Sequence, residues 1–309
     1  MPELPEVEVV RLGLQPAVTG ATVTAVTVLD ERSLRRHPGP AEDFVDRLTG
    51  ARLAAPSRRG KYLWLPLKTQ EIPPENGALS PNGPKSDGSP AFSEAVVVHL
   101  GMSGQVLVRD RDTDDRLTRI RLDLKHPVAG QVRLNFVDQR IFGSMAIDEL
   151  IPDGGGGRVP RSVAHIARDP LDPLFDDREF FRRLAMRRTG IKRALLDQTL
   201  ISGIGNIYAD EALWAARVHY DQPTATLSRP RAKRLLDEVR SVLGKALVEG
   251  GTSFDWQYLN VNGEAGYFAH SLNAYGRQGE PCARCGRPIV RETFMNRGSH
   301  FCAYCQRVR

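Results

Sequence analysis

The sequence predicts an α+β fold divided among several domains, and three observations support this. The first 150 residues consist mainly of short segments with the period-two pattern of β-strands, whereas the following section repeats apolar residues at helical spacing. All four cysteines lie in the last 28 residues, as two pairs. A chain of 309 residues, 41% of them hydrophobic, is long enough for more than one core, which excludes a wholly disordered chain.

The strand pattern is clearest in four N-terminal segments. Residues 22–29 are rich in Val and Thr, residues 95–100 form an apolar run, and apolar and polar residues alternate at 120–124 and 132–136. Short strands separated by turns favour a β-sandwich or a barrel. A helix is expected at the start of the chain, because Pro5 suits a first helical turn.

Two segments interrupt these patterns. Residues 69–94 contain five Pro, three Gly and four Ser, which predicts a flexible insertion. Four consecutive glycines at 154–157 predict a linker at 153–161. This linker would separate an N-terminal domain of residues 1–152 from a helical domain of residues 162–272.

The helical domain is predicted from apolar stripes and capping residues. Residues 176–188 place three apolar side chains on one face, and Ser228 is expected to cap a long helix that ends at Gly250. Between them, Gly203 and Gly205 form a turn before a further helix.

That further helix is expected to begin near Asn206. The first amides of a helix have no internal partner, so a phosphate can bind there, and Asn206 would cap the helix or donate to the phosphate. Lys192 adds positive charge near the same end. The segment also fits a helix hairpin packed in a core, and the local pattern leaves both interpretations open.

The cysteines have the spacing of a zinc site. Cys282 and Cys285 are separated by two residues, as are Cys302 and Cys305, and sixteen residues lie between the pairs. Four protein ligands leave no open position, so one structural Zn²⁺ is expected, on which the small segment 273–309 would depend for folding. Two disulfides or a redox pair are the alternatives.

A β-hairpin with its tip at 296–298 is expected between the cysteine pairs, and its surroundings are basic. Residues 273–309 contain seven Lys and Arg against two acidic residues. The formal charge of +6 is also uneven, because residues 1–150 carry 19 basic and 20 acidic side chains and residues 151–309 carry 24 and 17. A polyanionic partner is therefore expected, the alternative being a solvated basic surface around a structural ribbon.

No segment approaches the roughly 20 apolar residues that span a bilayer. The acidic, proline-containing start lacks the basic and then apolar layout of a secretory signal. A cytoplasmic protein without a membrane segment is therefore expected.

The start of the chain offers a nucleophile. Removal of Met1 would leave Pro2 with a secondary α-amine, which titrates near about 8 and is partly unprotonated at neutral pH. Attack of this amine on a sugar C1′ gives an iminium ion, which is an electron sink for elimination. Glu3 would act as general acid or base and Glu6 would orient the amine. The alternative is an ordinary helix start.

Three motifs occur together in one family. The segment Pro-Glu-Leu-Pro-Glu-Val-Glu at 2–8, the hairpin at Asn206 and the four-cysteine finger, in this order, resemble the formamidopyrimidine-DNA glycosylases, and the actinobacterial members most. The resemblance covers residues 2 to 306 except 69–94. It implies an N-terminal β-sandwich with flanking helices, a helix-two-turn-helix domain and a C-terminal zinc-finger β-hairpin, with DNA between them.

The resemblance also implies roles for individual residues. Pro2 corresponds to the nucleophile, Glu3 to the general acid that helps to open the deoxyribose, and Lys61 to a catalytic, phosphate-contacting lysine. Asn206 and Arg297 correspond to residues that grip the phosphates around the lesion.

A further implied group fills the hole that an extruded base leaves in the duplex. Its members here are Met102, Arg140 and Phe142, since Met and Phe are suitable wedges and Arg can donate to the orphaned base. The segment 260–271 is expected to contact the lesion. The insertion at 69–94 would make the loop of Met102 longer or more mobile.

The implied function is excision of oxidised purines from damaged double-stranded DNA by a monomer, followed by strand cleavage through β and δ elimination. The endonuclease VIII branch, which prefers oxidised pyrimidines, is an alternative, but its members tend to have Gly where this chain has Leu4. A non-catalytic damage sensor and a zinc-ribbon RNA-binding protein are alternatives of other classes.

Overall fold

A computed structural model describes residues 2–68, 92–113, 115–251 and 268–309. Most of the predicted insertion at 69–94 lies outside these residues, and so does the predicted lesion-contacting segment up to residue 267. No helix in the described ranges is long and apolar enough to span a membrane.

The N-terminal part forms one antiparallel sheet of ten strands. They are β1 (Thr22–Val28), β2 (Arg52–Leu53), β3 (Ser57–Arg59), β4 (Tyr62–Lys68), β5 (Glu94–His99), β6 (Gly104–Arg109), β7 (Thr118–His126), β8 (Gly130–Asp138), β9 (Ser144–Pro152) and β10 (Arg158–Pro160). Their order is β10-β9-β5-β4-β2-β1-β7-β8-β6, with β3 beside β4. The predicted strands at 22–29, 95–100, 120–124 and 132–136 correspond to β1, β5, β7 and β8.

The sheet folds over on itself to enclose one core. Leu65, Val96 and Ile147 from one end of the sheet belong to the same buried cluster as Val106 and Phe136 from the other end. Because both ends face one apolar interior, the sheet forms the two layers of a β-sandwich. The sandwich prediction is confirmed.

Two helices flank the sandwich, α1 (Leu4–Val18) and α2 (Ala41–Leu48). Apolar residues of α1 at helical spacing, Val7, Val10 and Leu14, are buried against the sheet. Leu4, the first residue of α1, instead packs in a second buried cluster formed by the helical domain. The start of the chain therefore lies between the two domains.

The helical domain contains α3 (Asp177–Met186), α4 (Ile191–Leu196), α5 (Asn206–Ala216) and α6 (Arg229–Val248). Short 3₁₀ segments lie at Glu31–Leu34, Arg161–Val163, Thr224–Thr226 and Phe268–Ser271. Ser228 occupies the N-cap position of α6 as expected, but its side chain makes no capping hydrogen bond. Gly250 follows the end of α6 with a positive φ of 77°, in agreement with its predicted role.

The predicted linker at 153–161 is part of the sheet. The carboxylate of Asp153 accepts hydrogen bonds from the amides of Gly155 (2.8 Å) and Gly157 (3.0 Å) and pairs with Arg168 at 2.8 Å. The glycines thus form a tight turn, after which β10 returns along β9. The linker prediction was wrong here because composition does not reveal that a nearby Asp satisfies the glycine amides.

The C-terminal segment contains a hairpin of β11 (Val290–Phe294) and β12 (Arg297–Phe301). Its two-residue turn, Met295 and Asn296, has positive φ at both positions (45° and 60°), the geometry that matches the twist of paired strands. Arg297 is therefore the first residue of β12, directly after the turn.

Candidate functional site

The N-terminus of α5 is occupied by a carboxylate from the other domain. In the buried side chain of Glu3, Oε2 accepts from the amides of Gly205 (2.7 Å) and Tyr208 (3.3 Å), and Oε1 accepts from the amide of Ile207 (3.0 Å). The sequence predicted a phosphate at these amides. In the structure they are satisfied by Glu3, because an anion of any source is stabilised at a helix N-terminus.

Two glycines make this approach sterically possible. A Cβ on Gly205 would lie 2.3 Å from Oε1 of Glu3, and a Cβ on Gly203, whose φ is +87°, would lie 2.6 Å from a methyl carbon of Leu4. The amide of Leu4 also donates to the carbonyl of Gly203 at 2.9 Å. The glycine turn was predicted correctly, and its purpose is to admit residues 3 and 4.

The environment of Glu3 raises its pKa, although the amides of Gly205 and Ile207 act to lower it. Burial raises the pKa of Glu3, against the opposing effect of the Lys61 charge, and the negative charge of Glu6 raises that pKa further. Glu6 accepts from the Glu3 amide at 2.9 Å and from the Tyr208 hydroxyl at 2.6 Å. A carboxyl whose pKa is raised holds its proton to a higher pH than usual, which suits general acid chemistry.

Lys61 lies in the two-residue turn between β3 and β4 and is half-buried. Burial lowers the pKa of Lys61, the positive charge of Arg297 lowers it further, and Glu3 and Glu6 oppose this. Lys61 of the sandwich and Arg297 of the finger therefore lie close enough to influence each other, at one charged centre with Glu3.

A cleft of about 520 Å³ lies at this centre. It is lined by four residues predicted from the sequence, Glu3, Met102, Asn206 and Arg297. Pro2, also buried, directly precedes Glu3. The sandwich, the helical domain and the finger all contribute to the cleft, so it exists only in the assembled molecule.

Asn206 connects α5 to the finger. It is the first residue of α5, after Gly205 at the N-cap position, and its side-chain amide donates to the carbonyl of Gly298 at 3.0 Å. The cap predicted for Asn206 is thus provided by Glu3.

Lys192 is enclosed rather than exposed. Its side chain has no exposed surface, its amine pairs with Asp210 at 2.6 Å, and it donates to the Gly298 carbonyl (3.3 Å) and the Ser299 hydroxyl (3.1 Å). Asp210 also accepts from the amide of His300 at 2.8 Å. The expected contact of Lys192 with DNA does not fit this location, where the lysine instead fastens the finger hairpin to α5.

Met102 and Phe142 are exposed at the edge of the sandwich, by 41% and 44%. The Arg140 guanidinium lies 5.0 Å from the centre of the Phe142 ring. Asp138 holds both loops, because its carboxylate accepts from the hydroxyl of Ser103 (2.6 Å), beside Met102, and from the amide of Arg140 (3.1 Å). The three predicted wedge residues therefore form one surface.

Sequence reasoning missed Arg35, which holds the second of these loops. Its guanidinium donates to the carbonyls of Ile141 (2.9 Å), Gly143 (2.8 Å) and Phe142. Ile141 has a φ of 54°, an unfavourable conformation for a β-branched residue that the surrounding contacts must maintain. The contacts span more than 100 residues of sequence, so no local pattern indicated them.

His99 is a second residue that the sequence did not indicate. Burial, together with the charges of Arg36, Arg35 and Lys61, lowers the pKa of His99 to about 4, so the ring is neutral near pH 7. Its Nδ1 accepts from the amide of Gly101 at 3.2 Å, which places the proton on Nε2 as a donor. A lone histidine before a loop carries no recognisable pattern.

The four cysteines form a metal site. The Sγ atoms of Cys282, Cys285, Cys302 and Cys305 all lie within 4.8 Å of one another. This cluster fits one tetrahedral Zn²⁺ with bonds of about 2.3 Å. The Trp214 indole also donates to Cys282 Sγ at 3.4 Å, which joins the site to α5. One structural zinc agrees with the prediction.

Three family models match consecutive parts of the chain. The formamidopyrimidine-DNA glycosylase N-terminal domain matches residues 1–145, and the H2TH domain of the same family matches residues 166–257. The zinc finger found in FPG and IleRS matches residues 279–308.

Individual relatives match over their whole length. The formamidopyrimidine-DNA glycosylase of Leifsonia xyli is 58% identical over 100% of both chains. The MutM (Fpg) protein of Thermus thermophilus is 32% identical, with a TM-score of 0.76 over 99% of this chain and 98% of that one. Lactococcus lactis Fpg, solved with DNA that contains an abasic site, is 27% identical, with a TM-score of 0.78 over 99% of both chains.

Proposed function

The chain belongs to the formamidopyrimidine-DNA glycosylase family, and on that basis we propose that it excises oxidised purines such as 8-oxoguanine from duplex DNA and then cleaves the strand. The observation that supports this most directly is the buried carboxyl of Glu3 at the N-terminus of α5. It lines a cleft between the domains, adjacent to Pro2 and within the influence of Lys61.

The reaction begins with the secondary amine of Pro2, free once Met1 has been removed. Its nitrogen lone pair forms a bond to C1′ of the damaged nucleotide as the bond from C1′ to the base breaks. The base leaves with the electron pair of the broken bond and takes up a proton, which the loss of the N–H proton from the nitrogen balances. The sugar ring then opens to an iminium ion. This cation accepts electrons when a proton leaves C2′, and the 3′ phosphate is eliminated. Loss of a second proton, from C4′, then eliminates the 5′ phosphate.

Glu3 supplies the proton that opens the sugar. When the bond between C1′ and O4′ breaks, O4′ takes the proton of the Glu3 carboxyl, whose pKa is raised by burial. The hydrogen bonds from the start of α5 then stabilise the carboxylate that remains. Glu3 can therefore donate and recover a proton without leaving its position.

Cationic and amide groups around the cleft bind the phosphates next to the lesion. Arg297 lines the cleft from the finger and Lys61 approaches from the sandwich. The side-chain amide of Asn206 already donates to the Gly298 carbonyl of the finger. It would therefore contact a phosphate while it also connects α5 to the hairpin. Positive charge on both sides of the cleft suits a bent, phosphate-lined strand.

Met102, Arg140 and Phe142 occupy the space that the extruded base leaves. Met102 and Phe142 present exposed apolar surface that can replace lost stacking, and Arg140 can donate to the unpaired opposite base. The zinc site has a structural part in this scheme, since it holds the hairpin that carries Arg297. All these groups come from one chain, so we propose that the enzyme acts as a monomer.

Borohydride trapping tests the proposal. Reduction of the iminium ion should join the protein covalently to a duplex with 8-oxoguanine, whereas a variant with residues added before Pro2 should give no adduct. Equal trapping by the extended variant would contradict the assigned nucleophile. A competing duplex with thymine glycol distinguishes a preference for oxidised purines from one for oxidised pyrimidines. Preferential trapping of thymine glycol would reassign the substrate.

A further inference from the structure

The cleft lined by Glu3, Asn206 and Arg297 is called the lesion cleft below. A second cleft, of about 500 Å³, lies at the opposite end of α5. It is formed by the end of α5, the first turns of α6 and the segment after the last cysteine. Besides Tyr304 and Cys305, it is lined by the arginines Arg217, Arg231, Arg234, Arg307 and Arg309. The eleven residues of α5 span about 16 Å between the two clefts.

Neutral groups hold these arginines in place. The backbone of Arg309 makes two hydrogen bonds to the side chain of the fully buried Gln222, at 2.8 and 2.7 Å. Arg231 donates to the same Gln222 oxygen at 3.4 Å, and Arg234 donates to the carbonyl of Ala216. The arrangement is therefore anchored to the helical domain.

Among the described residues, none of the five arginines forms an ion pair. Arg58, by contrast, pairs with both Glu8 (2.8 Å) and Asp169 (2.9 Å). Burial and the nearby charges of Arg309 and Arg234 lower the pKa of Arg231, which indicates mutual repulsion. A bound anion would relieve this repulsion and accept hydrogen bonds from several guanidinium groups.

We propose that this arginine cleft binds the phosphate backbone of DNA outside the lesion cleft. The planar forks of arginine match phosphate oxygens. A peptide partner would need an apolar anchor site, but the one aromatic lining residue, Tyr304, carries the guanidinium of Arg287 at 3.5 Å and that of Arg307 at 4.9 Å from its ring centre. The choice of DNA as the source of phosphate rests on the proposed function.

The salt dependence of binding tests this proposal. Each phosphate contact contributes a slope of about −0.9 to a plot of log affinity against log salt concentration. For an undamaged duplex, we expect the slope of the double variant Arg231→Gln/Arg234→Gln to be less negative than that of the unmodified protein by about 1 to 2. The matched control, Arg111→Gln/Arg116→Gln, removes the same charge from exposed positions between β6 and β7 and should leave the slope unchanged.

Two further variants guard against loss of folding, which zinc content and melting temperature will reveal. Arg231→Lys/Arg234→Lys keeps the charge and should largely restore the slope. Arg307 packs against the Tyr304 ring, so Arg307→Gln tests the cleft independently of α6. We expect it to make the slope less negative by about 0.9.

An unchanged slope in both the double variant and Arg307→Gln would overturn the proposal. Binding of polyglutamate to the same variants is measured in parallel. If the double variant lost polyglutamate binding but bound the duplex unchanged, the cleft would be assigned to an acidic protein and the proposal would likewise be overturned. Because the duplex is undamaged, the result does not depend on excision. A failed borohydride trap would thus refute the proposed function, but the salt dependence of duplex binding could still be interpreted.

Discussion

Glu3 combines two functions in one side chain, since it is a candidate proton donor and also the cap of a helix in another domain. The two functions depend on each other because the amides that bind the carboxylate belong to residues 205–208. Burial has the larger effect on the pKa of Glu3, and so the folded protein binds a proton there more tightly than the unfolded chain does.

The stability of the protein should therefore depend on this proton. Because the folded-state pKa of Glu3 is raised, the native state binds more protons than the unfolded state above the ordinary value of 4.5. Stability from this group is complete below that pH and is lost as pH rises through the folded pKa. In Glu3→Gln we expect this part of the pH dependence to disappear, as measured by urea unfolding between pH 4 and 8.

The same variant should be almost inactive, with a rate of base excision lower by on the order of 10²–10⁴ in single-turnover assays. Glu31→Gln, at an exposed position of the sandwich, is the control. An excision rate of Glu3→Gln close to that of the control would refute the acid role.

At the scale of elements, the loop of Arg140 to Phe142 depends on Arg35 for its shape. Arg35→Gln should release the unfavourable backbone of Ile141 and misplace both wedge side chains. We expect excision of 8-oxoguanine to slow on the order of 10- to 100-fold, since small misplacements near a reacting group have effects of this size. Single-turnover rates and the melting temperature are the measurements.

Arg32→Gln provides the comparison, because Arg32 lies in the 3₁₀ segment that Arg35 directly follows, and its side chain is 73% exposed and pairs with the nearby Asp30. If Arg35→Gln excises the base as fast as Arg32→Gln does, Arg35 does not position the loop.

Zinc removal should affect the finger and leave the sandwich folded. The buried apolar cluster around the metal site consists of Cys282, Ile289 and Cys302, with Trp214 packed against it, so two of its three buried members are metal ligands. A strong chelator should abolish DNA binding while the far-ultraviolet signal of the sheet persists. Full binding by protein shown to be free of metal would contradict this.

At the scale of the whole molecule, the sequence predicted what local patterns encode. Alternation at 120–124 and the cysteine spacing were sufficient to place a buried strand and a metal site, because period and spacing follow from backbone geometry. The glycine turn before α5 was equally visible.

What the sequence did not predict depends on distant partners. Lys192 was expected at the DNA surface, and only the fold shows that Asp210 lies beside it. The amides of α5 were expected to be open to phosphate, and only the fold brings Glu3, some 200 residues away in sequence, onto them. Burial and pairing of charged residues are properties of the assembled domains.

The joint between residue 3 and the start of α5 has a consequence for biosynthesis. Glu3, among the first residues to leave the ribosome, remains without the amides that donate to it until about 200 more residues have been translated, and the finger that completes the cleft follows last. A nascent chain that has folded its sandwich thus still lacks the pocket for its own amino terminus. The cleft of such a chain is complete only after the finger has been synthesised.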